Sequence, residues 1–175
     1  MNSAELIKKM KLNLLVIFLI LFYSCKSSNQ LETYKLADST FVALVEQEFV
    51  FQEFLNQSLI ETRDNNLLQL GQKRRLNIQN YLNELKQYSS TSLSASPGTL
   101  NPRQSEKLST LNQLSGADYK KMLFSLLVDT DQEMIGLHVK AVAATGLKNV
   151  DFRNWVDSKI PFWHAHLNDC QKLKP

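Results

Sequence analysis

The chain has 175 residues, 43% of them hydrophobic, and a net charge of +3 at pH 7. Of its 20 Lys and Arg and 17 Asp and Glu, Lys8, Lys9, Lys11 and Glu5 precede residue 25, which leaves the rest of the chain at +1. That remainder is long enough for one domain of ordinary size, and its charge makes no electrostatic case for nucleic acid, since Lys73–Arg75 is a basic cluster too short to supply one.

The first predicted element is the apolar run Leu14–Tyr23, ten residues long. A helix needs about 20 residues to span a bilayer. Lysines before the run and the small Ser24 after it give the layout of a secretory signal. The segment "FYSC" resembles a bacterial lipobox, in which the cysteine is lipidated and becomes the mature N-terminus. Ser24 fits that pattern, while Phe22 and Tyr23 are bulkier than its usual residues. "KSSNQ" then suits a flexible tether. Cys25 is the expected lipidation site, and the expected partner there is a membrane, reached through the lipid. The protein is expected to be exported and anchored to the bacterial cell envelope, at the outer membrane. The alternatives are an ordinary signal peptide with a chance cysteine and a retained anchor helix, for which the run is short. Met10 would also give a usual signal start. The expected divisions are a signal peptide at 1–24, an anchor site and tether at 25–36, and a helical domain at 37–175. Cys170 is then left without a disulfide partner and reads as a small buried apolar residue.

Helical periodicity follows throughout. The first helix is expected from about Asp38 to Arg63, with Asp38 or Ser39 as N-cap. The second is expected from Asn65 to Tyr88. A Ser/Pro/Gly loop, Ser89 to Pro102, leads to a short helix from Arg103 to Leu114. The third long helix starts after "LSGAD" and ends at "ATG", with Gly146 at C′. The fourth runs from Val150 to Leu173, and Pro161 should kink it. The fold expected is all-α, an antiparallel four-helix bundle with a short extra helix in the long loop between helices 2 and 3.

Helical wheels put Phe41, Leu44, Val45, Phe49, Leu55 and Leu59 on one face of the first helix, with Glu48 and Gln52 inside it. The second helix turns in Leu67, Leu70, Gly71, Ile78, Tyr81, Leu82 and Leu85, with Arg74 among them. Leu123, Leu127, Met134, Leu137 and Ala141 form the stripe of the third, and Asp131 and His138 fall within its wider face. Phe152, Trp155, Val156, Ile160, Trp163, Leu167, Cys170 and Leu173 face in from the fourth, with His166 among them and His164 opposite. Buried polar groups need partners. Glu48, Arg74, Asp131, His138 and His166 therefore read as an interior polar network. The competing reading is a metal site of Glu48, Asp131, His138 and His166 holding an Fe, Mn or Zn ion. The charge of Arg74 argues against that, and no cofactor is the leading expectation.

These segments, taken in order, resemble the ferritin-like family filed as domain of unknown function 4142, described as predicted outer-membrane or exported bacterial proteins. "DSTFVALVEQEFVFQEFLNQSL", "LLQLGQKRRLNIQNYLNEL", "LNQLSGADYKKMLFSLLVDTDQEMIGLH" and "FRNWVDSKIPFWHAHL" are similar to its four helices. The resemblance implies a ferritin-like bundle. It also exposes departures. Asn77 and Ile78 stand where the family carries Asp–His in the second helix, and Thr130 and Asp131 where it carries another in the third. The first-helix Glu falls on Gln52, or on Glu53 with a one-residue shift, and His166 is retained. No Gly-rich phosphate loop, Cys-x-x-Cys pair or nucleophile elbow is present. The chain therefore reads as a non-catalytic binding or envelope-associated module, with the Ser-rich loop as a further candidate surface. Nothing in the residues names a protein or small-molecule partner.

Overall fold

The computed structural model describes residues 36–88 and 99–173, all within the larger of two compact units, residues 34–175. The apolar run Leu14–Tyr23, Cys25, the tether and residues 89–98 of the Ser-rich loop lie outside the described residues. Among the described residues every regular element is a helix: α1 (Asp38–Ile60), α2 (Asn65–Tyr88), α3 (Pro102–Asn112), α4 (Gly116–Val142) and α5 (Val150–Leu173). None of them is long and apolar enough to cross a membrane.

Local chemistry sets the boundaries. The first helix stops at Ile60 rather than Arg63 because residues 61–64 form the turn into α2. There the Asp64 carboxylate accepts the backbone N–H groups of Asn66 and Leu67 at 3.0 and 3.4 Å, filling the cap role. The N-cap of α1 is Ala37, not Asp38 or Ser39. Asp38 sits instead in the first turn, where its charge favours the positive end of the helix dipole. α3 starts one residue before the expected Arg103, because Pro102 is pre-set for the first helical position. Asn101 and Gln104 close a capping box across that start.

Gly146 is not the C′ residue of α4. That helix ends at Val142, and Ala143 follows in extended conformation with φ −59° and ψ 163°. Positive φ among the described glycines is confined to Gly116, at 59°. What Gly146 provides is room. A Cβ there would lie 2.0 Å from the Ala141 carbonyl oxygen, which is the acceptor for Leu147 N–H at 2.8 Å. That hydrogen bond seats Leu147 in the core. Gly146→Ala is expected to destabilise by about 1–3 kcal/mol, because backbone rather than a side chain must move. Denaturant unfolding should show a lowered midpoint with an unchanged slope; a wild-type midpoint would contradict this.

α1 packs on α2 and α4, α5 packs on the same two helices, and α3 lies on α4. The four long helices thus close a ring, a bundle-like arrangement. α5 continues unbroken through Pro161. Close approach of α1 and α2 is set at Gly71, where a Cβ would lie 2.8 Å from Leu59 Cβ and 2.9 Å from Asn56 O. The inward faces differ from the wheels at a few positions. Leu44 and Leu173 are each 37% exposed. Val42, Phe51 and Leu126 are buried as well. Phe51 belongs to an apolar cluster with Leu111 of α3 and Leu123, Phe124 and Leu127 of α4, and the Lys107 ammonium of α3 sits 6.0 Å from its ring centroid.

The core is divided. One apolar cluster holds Phe41, Phe49, Tyr81, Met134, Trp155 and Trp163. The other holds Phe51, Leu55, Leu67, Leu70, Leu111, Phe124 and Leu127. At the boundary each long helix turns a buried polar residue inward: Gln52 and Asn56 in α1, Arg74 in α2, Thr130 and Asp131 in α4, and His166 in α5.

Candidate functional site

Arg74 is the centre of that boundary. Its guanidinium donates from Nη1 and Nη2 to Asp131 Oδ2 and Oδ1, both at 2.8 Å. Nε donates to Asn56 Oδ1 at 3.0 Å, and Nη1 also reaches Cys170 Sγ at 3.1 Å. One side chain from α2 therefore touches α1, α4 and α5. Arg74 and Asp131 are 1% and 0% exposed, so neither charge faces bulk solvent. A forked guanidinium meeting both carboxylate oxygens is the geometry in which such a pair is best compensated. Burial pushes the Asp131 carboxyl up from its usual range, and Arg74 pulls against that shift. Burial also disfavours the Arg74 charge, but Asp131 outweighs it and the guanidinium stays firmly protonated. Cys170 is pushed up to about 12 by burial. It is thus a neutral thiol among polar groups rather than a purely apolar filler.

About one turn along α2, Asn77 Nδ2 lies 2.9 Å from His166 Nε2. Burial, with Arg74 and Lys73 adding repulsion, drops the His166 imidazole to about 3. Two turns beyond Arg74, Tyr81 OH lies 2.9 Å from His138 Nε2. Trp163 Nε1–H donates to the same nitrogen at 3.1 Å. His138 Nδ1 faces the Met134 carbonyl at 2.7 Å. The carbonyl can only accept, so Nδ1 carries the hydrogen and Nε2 accepts from both Tyr81 and Trp163. The ring is held neutral, with burial lowering it to about 4.

Glu48 lies apart from all of these. It is half-buried where α1 meets α3 and α4, and Gln104 Nε2 donates to its Oε1 at 3.2 Å. Burial first, then the neighbouring Glu133 carboxylate, raises Glu48 to about 7, with Lys107 opposing. The five residues expected as one network therefore form three groups: Arg74 with Asp131, beside His166 on Asn77; His138 with Tyr81 and Trp163; and Glu48 with Gln104 and Glu133. The proposed ligand set of Glu48, Asp131, His138 and His166 does not converge. Among the described residues no three His, Cys, Asp or Glu side chains come together as a group able to hold a metal ion. No family model, curated protein or solved structure matches the chain.

Asn56, Asn77, Tyr81 and Trp163 complete the site and were not expected in it. Asn56 had a visible signal, its four-residue spacing from Gln52 on one wheel face. Tyr81 and Trp163 read as plain core from the sequence, and only their cross-helix position gives their polar atoms a role.

A pH dependence follows from Glu48. Its folded value lies above the ordinary 4.5. Its stabilising contribution is therefore complete below about pH 4.5 and is lost as pH rises through about 7. Glu48→Gln keeps an acceptor for Gln104 and removes the titration. Relative to wild type it should gain stability between pH 5 and 8, read as unfolding midpoints across that range; parallel pH profiles would refute this.

Proposed function

We propose that this chain is a lipid-tethered, extracytoplasmic four-helix bundle that acts by binding rather than by chemistry of its own. The observation that carries this reading is the buried Arg74–Asp131 pair at the junction of all four long helices. A group fully engaged in holding helices together is not free to transfer a proton or meet a substrate. The two buried histidines are likewise neutral and hydrogen-bonded to neighbouring side chains.

Antiparallel packing is supported by cross-helix pairs whose numbers run oppositely. Between α2 and α5 these are Lys73 with Asp169, Asn77 with His166, and Glu84 with Lys159. Between α1 and α2, Asn56 meets Arg74 and Phe49 meets Tyr81. We place the bundle with the ferritin-like proteins on the strength of the four-segment resemblance. If the positions where that family carries Asp, His and Glu make a metal site, these residues do not fit it. Gln52, Asn77, Ile78 and Thr130 occupy positions where carboxylate or imidazole ligands would be needed, and a guanidinium fills the adjoining space. A divalent cation beside it would be repelled.

The tether is inferred from "FYSC". Detergent phase partition of the full chain, with the mass of its mature N-terminus, tests it. Wild type should enter the detergent phase and begin at an acylated Cys25, while Cys25→Ser should remain unacylated. A mature chain that keeps residues 1–24, or that is never acylated, would defeat the tether. Elemental analysis of the same preparation after challenge with Fe, Mn and Zn tests the rest. Stoichiometric metal that is lost in Asp131→Asn and in His166→Ala would overturn the binding-only reading in favour of metal chemistry.

A further inference from the structure

Gln52 lies wholly inside the helix bundle, 0% exposed, and neither end of its amide bonds to another protein group. Asn56 Nδ2 and His166 Nδ1 are buried and unmet by protein in the same way. Four polar atoms on two helices thus ask for partners in the polar layer. Their heights along the bundle match. Asn56 and Cys170 both contact the Arg74 guanidinium. Seven residues earlier on each helix, Phe49 and Trp163 meet with ring centroids 5.8 Å apart. Gln52 and His166 each lie one turn before Asn56 and Cys170, so both fall between these two crossings and belong to one layer.

We infer that this layer is a binding site for water, enclosed between the Arg74–Asp131 pair below and the Phe49–Trp163 contact above. The chemistry selects the guest. An amide offers one acceptor and one donor group, so its guest must both donate and accept. Asn56 Nδ2 adds a donor, and so does His166 Nδ1–H, because His166 Nε2 accepts from the Asn77 amide. The guest must be uncharged, because the one cation in the layer is already matched by both oxygens of Asp131. Water meets these conditions, and it makes the two to four hydrogen bonds expected of a buried molecule. The inference does not depend on the tether or on what the bundle binds.

Water ¹⁷O magnetic relaxation dispersion on the full chain tests it by counting long-lived internal waters. Gln52→Leu should lower the amplitude by on the order of one water per chain. An unchanged amplitude in folded Gln52→Leu, with a raised unfolding midpoint, would overturn the site and mark Gln52 as an unmet amide. If that variant does not fold, a crystal structure of wild type decides. Ordered water within hydrogen-bond distance of Gln52, Asn56 and His166 supports the site. A Gln52 amide turned onto another protein group refutes it.

Discussion

Arg74→Leu is expected to destabilise the protein by about 3–5 kcal/mol, the usual result of removing one member of a buried ion pair. Most of that loss comes from what remains. At neutral pH an ionised Asp131 would sit at 0% exposure with no counter-ion, and Asn56 Oδ1 would lose its donor. Against a total of about 5–15 kcal/mol for a single domain, this is a large share. The deficit should depend on pH in a defined direction. Burial already pushes Asp131 upward, and without Arg74 only the hydrogen bond with Cys170 opposes it. A carboxyl raised in the folded state contributes stability that is present at low pH and lost as pH rises. The variant should therefore approach wild type under mild acid and fall away from it at neutral pH. Asp131→Asn should be costly too, leaving the guanidinium as the unmatched charge. Arg74→Met with Asp131→Leu should recover much of either loss, because burying neither charge removes both desolvation penalties. A double-mutant cycle by denaturant unfolding measures this. A loss under about 1 kcal/mol for Arg74→Leu would mean that the pair is hydrated and surface-like.

Trp163→Ala should cost about 3–5 kcal/mol. Trp163 is 0% exposed and its ring meets Phe49, Tyr81, His138, Phe162 and His166. Five rings around one indole leave little freedom to collapse into the space. Trp163→Phe separates packing from hydrogen bonding. It retains most of the aromatic volume but withdraws the N–H from His138, for about 1 kcal/mol beyond the packing change. Tyr81 still serves His138 in that variant. Wild type should also weaken in acid through this cluster. His138 is lowered to about 4, so its contribution is whole above about pH 6.5 and is lost as pH falls through 4. A Trp163→Ala variant with a wild-type midpoint and near-UV dichroism would show that the cluster does not pack this way.

The helical class, and the bounds of α2 and α5, were legible because each long segment repeats its apolar residues at helical spacing between clear stops. Polar residues on those faces stood out for the same reason. A wheel shows that Arg74 and Asp131 point inward, but it has no axial coordinate between helices, so it could not say that Arg74 meets Asp131 while Glu48 lies at another seam. That choice rests on inter-helix register, which Gly71 and the large aromatic residues set through packing. The burial of Phe51 was illegible for a related reason: the α3 and α4 residues it clusters with return from far along the chain. The tether proposed at Cys25 rests on local sequence chemistry alone and lies outside the described residues.

The two cross-bundle contacts between α2 and α4 share one spacing. Arg74 reaches Asp131 and Tyr81 reaches His138, each 57 residues on. They act as two notches cut seven residues apart on both rods. Sliding α4 by one turn would set Arg74 opposite Ile135 and Tyr81 opposite Val142, so both locks would break in the same step. Piston-like travel of one helix past the other is therefore closed to this bundle.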